Sequence, residues 1–205
     1  MKVRTDTKRA SIVETAAELF LELGYERTSM NELAKRLGGS KTTLYGYFES
    51  KEQLFEAVVR TFATGHLAEA AHGMQVNHVD VTELQTTLLR FAERMLRVLT
   101  DDARAMACYR MVLAEAGRSN VGQMFYEAGP SEAVSTVAEV LGAAMKQGIL
   151  AKHDSLVRAH QLLALITAEI QPRLYDPEPS PMERPAIRRL TKRAVDMFLG
   201  GALPR

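Results

Sequence analysis

Residues 37–48, LGGSKTTLYGYF, combine the residue types that bind phosphate groups. Glycine, lysine and hydroxyl side chains in one short stretch are typical of a loop that wraps a nucleotide phosphate. A P-loop, however, requires glycine at positions 35 and 40, and these positions hold Lys35 and Ser40. The preceding residues, NELAKRL, also have the spacing of a helix, whereas a P-loop follows a strand. The phosphate-binding side chains therefore need a different explanation.

The elements that must position these side chains are two short helices. Residues 29–32, SMNE, form a capping box, which predicts a helix that ends at Gly38. Ser40 can cap the next helix, which would bury Leu44 and Phe48. Two short helices joined by a glycine-containing turn make a helix-turn-helix, whose second helix lies in the major groove of DNA. The pattern therefore predicts that these side chains meet the phosphates of DNA.

Further helices are expected on both sides of this motif, which spans about residues 29–48. A first helix has one apolar stripe that ends before Gly24, formed by Ile12, Ala16, Leu19, Phe20 and Leu23. A second capping box at residues 50–53 begins a fourth helix. Along one side of that helix lie Leu54, Val58, Phe62 and His66. We expect the fourth helix to be one rigid element.

The composition is that of an ordinary globular chain. The 205 residues are 46% hydrophobic and 25% charged, with a net charge of +1. A single cysteine leaves no possibility of a disulfide framework within one chain and favours a reducing compartment. No apolar run has the length of a membrane span, and the N-terminus lacks an apolar signal region. We therefore expect a cytoplasmic protein without a membrane partner.

The remainder of the chain also has helical spacing. Helices are predicted over residues 82–99, 102–116, 154–171 and 186–199. Residues 120–128 and 131–147 are expected to form two helices or one bent helix, because Gly129-Pro130 lies between them. A proline-rich connection, 172–185, precedes the last helix, and no segment has the alternation of a strand. We predict an all-α fold with a three-helix DNA-binding head, residues 1–50. A larger helical ligand-binding and dimerisation domain would occupy residues 51–205.

The first 60-odd residues resemble the tetracycline-repressor (TetR) family of bacterial transcription regulators. The matching residues are Ala16, Phe20, Gly24, Thr28, Leu33, Ala34, Gly38, Ser40, Lys41, Thr43, Leu44, Tyr45, Tyr47, Phe48, Lys51, Leu54 and Phe55. The later segments YRMVLAEAGR and FYEAGP are similar to members that control efflux or stress operons. The resemblance implies a DNA-binding head followed by an all-helical effector domain.

The resemblance also implies which residues contact a double-stranded DNA operator. They are Thr28, Ser29, Ser40, Lys41, Thr42, Thr43, Tyr45, Gly46, Tyr47 and Lys51. Thr42 stands where the family most often has glycine, and Gly46 stands where it usually has a side chain. With Leu44 facing inward, a rotation of about 100° per residue directs Thr42 and Gly46 outward. Both departures therefore bear on the operator sequence and leave the fold prediction unchanged.

A regulator of this kind is expected to respond to a small molecule. An apolar pocket with a few polar groups would suit an apolar or aromatic effector, although methionines in such helices are more often plain core. The residues predicted to line the pocket are Phe62, His66, Phe91, Met95, Tyr109 and Phe125. Effector binding would lower the affinity for DNA, as in a repressor.

One short recognition helix contacts too few bases to be specific, so a homodimer on a palindromic operator is expected. The family pairs two helices from each subunit in a four-helix interface. The resemblance places Leu156, Ala159, Leu163 and Ile166 opposite Leu190, Ala194 and Phe198 in that interface.

Two other classes of protein remain as alternatives: a helical enzyme, or a protein-interaction module, each with a degenerate DNA-binding head. Neither a catalytic serine elbow nor a paired-carboxylate site is apparent in the sequence. The five histidines include no pair at i, i+4, so no metal site is expected. No cofactor is predicted.

Overall fold

The computed structural model describes residues 5–74, 76–101, 103–176 and 178–204, which form helices and connections without a strand. The α-helices in chain order are α1 (Asp6–Leu23), α2 (Met30–Arg36), α3 (Lys41–Tyr47), α4 (Lys51–Val59), α5 (Gly65–His72), α6 (Val81–Asp101), α7 (Ala103–Glu115), α8 (Val121–Glu127), α9 (Pro130–Lys146), α10 (Ser155–Ala168) and α11 (Arg184–Ala202). A π-helical turn occupies Arg60–Thr64, and a 3₁₀ turn occupies Gln171–Tyr175. The predicted all-α fold is confirmed.

The chain divides into two compact units. The N-terminal unit contains Met1–Gly65 together with Ala107–Ala128, and the C-terminal unit contains His66–Met106 together with Gly129–Arg205. Residues 107–128 join the N-terminal unit because Cys108, Val112 and Val121 are buried in its core. The predicted functional division between residues 50 and 51 stays a prediction.

The core of the N-terminal unit is centred on three aromatic rings. Phe20, Tyr25 and Phe55 pack with centroid distances of 5.6, 5.5 and 4.9 Å. The predicted stripe of α1 is confirmed, since Ile12, Ala16, Leu19 and Phe20 are buried and Leu23 is partly buried. Elsewhere in this core, burial raises the pKa of the Cys108 thiol to about 12.

The predicted single fourth helix is interrupted. Helical residues run from Lys51 to His72, but Arg60–Thr64 take the wider π geometry. The Gly65 N–H donates to the Arg60 carbonyl, five residues back, and a Cβ atom at Gly65 would lie 2.4 Å from that oxygen. The Thr64 hydroxyl donates to the Ala128 carbonyl at 2.9 Å. Glycine at position 65 and the bond to Ala128 together favour the π turn. The spacing of apolar residues in the sequence does not predict this turn.

Long amphipathic helices form the C-terminal unit. The apolar faces of α6, α9, α10 and α11 meet in one core, in which Leu88, Val137, Leu162 and Val195 are fully buried. On α6, the buried face is formed by Leu84, Leu88, Phe91 and Met95. The connection from α9 turns at Gly148, which has φ 77°, and Ala151 donates its N–H to the Ala202 carbonyl at 2.9 Å.

Replacement of Gly65 by alanine tests the origin of the π turn. The added methyl group would overlap the Arg60 carbonyl, and we expect the free energy of unfolding to fall by about 1–3 kcal/mol. Gly200→Ala is the matched control, because Gly200 lies in α11 with open space around it. That control should raise the free energy of unfolding by up to about 1 kcal/mol. Urea denaturation measures both, and equal changes in the two variants would contradict this explanation.

Candidate nucleic-acid interface

The turn between α2 and α3 is fixed by local hydrogen bonds. Ser29 caps α2 by accepting from the Glu32 N–H at 3.2 Å. At the other end, the N–H groups of Gly38 and Gly39 donate to the carbonyls of Lys35 and Ala34. Gly38 has φ 61°, the left-handed conformation that this helix ending requires. The predicted capping residue and the predicted glycine stop are both confirmed.

Two buried side chains hold α3 in place. Leu44 and Phe48 are each 2% exposed, as their inward positions predicted. The hydroxyl of Ser40 accepts from the Thr43 N–H at 3.1 Å and caps the helix. The guanidinium of Arg9 lies 4.9 Å above the Phe48 ring and covers the outer edge of this contact. The orientation of α3 is therefore fixed from its first residue to its last.

The opposite face of α3 is exposed and polar. Lys41, Thr42, Thr43 and Tyr45 are all exposed, whereas Gly46 is partly buried. The Lys41 ammonium lies 5.8 Å from the centre of the Tyr45 ring, and no carboxylate pairs with it among the described residues. This face carries a free cation, two hydroxyl groups and a phenol, which suit phosphate and base-edge contacts.

Thr28 is the most deeply buried of the residues predicted to contact DNA. Its side chain is 1% exposed, and its hydroxyl donates toward the carbonyls of Gly24 at 2.8 Å and Leu19 at 3.3 Å. The Gly24 carbonyl directly follows α1 and has no helical N–H to bond, and the Leu19 carbonyl lies one turn before it. Thr28 therefore completes the end of α1, and its contact with DNA stays a prediction. Ser29 remains exposed, with its hydroxyl on the α2 cap.

The side chain of Tyr47 connects α3 with the start of α1. Its hydroxyl accepts from the Thr5 N–H at 3.3 Å, and the residue is partly buried. Thr5 is the N-cap of α1, so this bond brings the first turn of α1 beside α3. Nothing in the spacing of the sequence identifies this contact, because the two residues are 42 positions apart.

Lys51 has a structural partner as well as its predicted phosphate role. Its ammonium donates to the Tyr25 carbonyl at 3.0 Å and lies 4.0 Å from the centre of the Tyr25 ring. The Tyr25 hydroxyl donates to Glu52 at 3.1 Å. Burial, and then the Glu52 carboxylate, raise the pKa of Tyr25. Only part of the Lys51 ammonium is therefore available to a phosphate, and Tyr25 is a positioning residue that the sequence did not reveal.

Two other cations of the motif, Arg36 and Lys35, have carboxylate partners. Arg36 pairs with Glu22 at 2.8 Å, and this hydrogen bond raises the pKa of Arg36. Lys35 lies 3.9 Å from Glu32. Lys41 is thus the cation of the motif that is best placed to meet a DNA phosphate.

The residues predicted to form an effector pocket are divided between the two units. In the N-terminal unit, Tyr109 and Phe125 pack with centroids 5.8 Å apart, and Phe62 lines a cleft of about 210 Å³. Phe91 and Met95 are buried in the C-terminal unit. The side chain of His66 lies outside the described part of the chain. The six-residue pocket stays a prediction.

Four of the seven residues predicted for the dimer interface are buried within one chain. Ala159, Ile166, Ala194 and Phe198 belong to the core of the C-terminal unit. Leu163 and Leu190 are partly buried, and Leu156 is 49% exposed. The exposed apolar neighbours on the same helices are Val157 and Met197. A second copy would reach these exposed residues first, and dimerisation itself stays a prediction.

The described residues contain no group of three histidine, cysteine or acidic side chains that could hold a metal ion. None of their helices combines the length and the apolar character needed to cross a membrane.

A helix-turn-helix with an exposed polar second helix is the arrangement of a DNA-binding regulator, and comparison with known proteins identifies the family. Residues 12–58 match the family described as bacterial regulatory proteins, tetR family. Residues 86–201 match the AefR-like transcriptional repressor, C-terminal domain. The chain belongs to the TetR family of transcriptional regulators, which bind DNA and are not enzymes.

Individual relatives agree with this assignment. The activator FasR of Mycolicibacterium smegmatis is 40% identical over 55 residues, which cover 27% of this chain and 25% of FasR. An uncharacterized HTH-type transcriptional regulator of Mycobacterium tuberculosis is 30% identical over 135 residues, 66% of this chain and 61% of that protein. The match thus spans less than two thirds of either relative. The solved structure of the flavonoid-responsive regulator FrrA has a TM-score of 0.75 and 28% identity, covering 98% of this chain and all of that one.

Replacement of Thr28 by valine distinguishes a structural role from DNA contact. Valine keeps the shape and removes both hydroxyl bonds, so we expect the free energy of unfolding to fall by about 1–3 kcal/mol. The bases preferred in selected DNA should stay the same. The matched variant Thr28→Ser keeps the hydroxyl and should retain more of the stability. A changed base preference in Thr28→Val, with unchanged stability, would place Thr28 on the DNA surface.

Proposed function

We propose that this chain represses transcription by binding a palindromic operator as a homodimer, and that a small effector releases it. The observation that carries the proposal is the exposed polar face of α3, presented by the buried anchors Leu44 and Phe48. A cytoplasmic location follows, because the operator is there.

Two copies of α3 are needed for specific recognition. A seven-residue helix with one exposed face reaches only a few base pairs. In dimeric helix-turn-helix proteins the two recognition helices enter successive major grooves, about one turn of DNA apart. A palindrome with half-sites at that spacing is therefore the proposed operator.

Repression is favoured over activation because the longer of two matches is to a family of repressors. Residues 86–201 match the C-terminal domain of AefR-like repressors, whereas the match to the activator FasR covers 55 residues. The longer match includes the unit from which a regulatory signal would come. Transcription of a reporter behind the selected operator should fall when the chain is expressed, and a rise would reverse this assignment.

The proposed effector is an apolar or aromatic small molecule. The similar structure of FrrA is described as flavonoid-responsive, which supports an aromatic compound for this chain. Binding equilibria at two sites are reciprocal, so a releasing effector must itself bind more weakly to the operator complex. Calorimetry with and without operator measures this, and equal affinity in both states would exclude the release mechanism.

The phosphate role of Lys41 gives a direct test of DNA binding. Lys41→Ala should weaken binding to all duplexes alike and lower the slope of log affinity against log salt by about one unit, because one phosphate contact is lost. Thr42→Gly should instead relax the preference at one base position of each half-site, by about 1–3 kcal/mol.

The control is Lys152→Ala, an equal loss of charge at an exposed lysine in the C-terminal unit. Binding to duplexes selected from a random pool, at several salt concentrations, measures all three variants. If Lys41→Ala and Lys152→Ala have the same slope as the unmodified chain, α3 is not the DNA-binding surface.

The dimer is tested at Met197, which is 69% exposed on α11. Met197→Asp would bury an unpaired charge in the interface, and we expect the dimer dissociation constant to rise by at least about tenfold. Val79→Asp is the control, since Val79 is 89% exposed and lies outside α10 and α11. Sedimentation at micromolar concentration measures both. A stable monomer before any substitution would reject the dimer, and an unchanged dimer with Met197→Asp would move the interface elsewhere.

A further inference from the structure

A small cleft opens on the C-terminal unit between the end of α5 and one face of α6. Its volume is about 130 Å³. Its apolar walls are Ala70, Met74 and Phe91, which are all buried. Its polar side is formed by Thr87 and two arginines, Arg90 and Arg94. The cleft therefore combines a small apolar floor with a larger polar edge that carries two positive charges.

The two arginines are placed where they repel each other. They lie one helical turn apart on the same face of α6, and like charges at this spacing destabilise a helix. Both are exposed, and neither has a hydrogen bond or ion pair within the described residues. Other arginines of this unit, Arg188 and Arg193, pair with Glu93 and Glu169. A bound anion would supply the missing partner for Arg90 and Arg94.

Gly73 allows Arg94 to lie close to the cleft wall. A Cβ atom at position 73 would be 2.9 Å from Nη1 of Arg94. The guanidinium therefore occupies the space that any other residue at position 73 would fill. Because the neighbour is the end of a long side chain, an added methyl group would displace the guanidinium with little change elsewhere.

One residue of the cleft, Thr87, belongs to a buried polar pair with His78. The Thr87 side chain lines the cleft, and its hydroxyl lies 3.1 Å from Nε2 of His78. His78 is 4% exposed, and its Nδ1 has no hydrogen-bond partner within the described residues. When Nε2–H is the donor, the hydroxyl proton of Thr87 is free to donate to a ligand.

We propose that this cleft binds a small carboxylic acid with a flat apolar body. The guanidinium groups of Arg90 and Arg94 bind the carboxylate as a fork, and the body lies against Phe91 and Met74. The volume is below that of a site for a drug-sized ligand, so an acid of the size of benzoate is the expected occupant. This binding goes beyond the proposed function, because it requires neither an operator nor a second copy.

Calorimetry on the full chain, without DNA, tests the cleft with three probes: sodium benzoate, benzamide and inorganic phosphate. Benzamide has nearly the same shape without the charge, and phosphate has the charge without the apolar body. We expect benzoate to bind at least about tenfold more tightly than either, since charged hydrogen bonds and apolar burial both contribute. No binding at millimolar benzoate, or equal affinity for benzamide, overturns the proposal. Equal affinity for phosphate would reduce the cleft to an unspecific anion site and also overturns it.

Three variants locate the bound acid. Arg90→Gln and Arg94→Gln should each weaken benzoate binding about tenfold and leave benzamide unaffected. Gly73→Ala should also weaken benzoate binding, although it leaves every charge in place. Arg189→Gln is the matched control, because Arg189 is exposed on α11 and lies outside the cleft. Benzoate affinity that falls equally with Arg189→Gln, or that stays the same in the arginine and glycine variants, places the acid elsewhere and rejects the assignment.

Discussion

The anchoring of α3 by Leu44 and Phe48 is the constraint on which the rest of the N-terminal unit depends. A helix of seven residues is far below the length that is stable in water by itself. Its helical form must therefore come from its cap and from burial of its inner face. Three contacts stabilise α3 at different points along its length. They are the Ser40 cap, the packing of Arg9 on the Phe48 ring, and the hydrogen bond from Thr5 to Tyr47. The outward residues can vary without loss of the helix, because none of these contacts uses them.

Local signals were sufficient to predict much of this arrangement from the sequence. Helix caps, the glycine turn and the apolar stripes depend on residues within one or two helical turns of each other, and Ser29, Gly38 and Ser40 take their expected roles. Three side chains were harder to interpret, because each bonds to a residue of another segment. Thr28 bonds to the end of α1, Lys51 bonds to the Tyr25 carbonyl, and Tyr47 bonds to Thr5. A polar residue beside a DNA-binding motif has the same sequence signal whether it completes a helix end or faces a phosphate.

The C-terminal unit illustrates a second limit. An apolar stripe indicates that a helix buries one side, but the stripe does not identify what covers it. Ala194 and Phe198 are covered by their own chain. Met197, which lies between these two residues in the sequence, is exposed. The charged edge of the α5–α6 cleft was equally hidden, since Arg90 and Arg94 look like ordinary solvated residues until Gly73 and Thr87 are placed beside them. Three-dimensional neighbours, and not residue types, distinguish these cases.

The burial of Cys108 has a practical consequence for labelling. Thiol-directed reagents react with the thiolate, and the burial that leaves Cys108 3% exposed also raises the pKa of its thiol, so both access and ionisation are disfavoured at neutral pH. Cys108 is also the sole cysteine of the chain. A new cysteine on an exposed position could therefore carry a fluorophore or a spin label while the native thiol stays unmodified. Distances between such labels would be measurable in the chain as it is, without first removing a residue from its core.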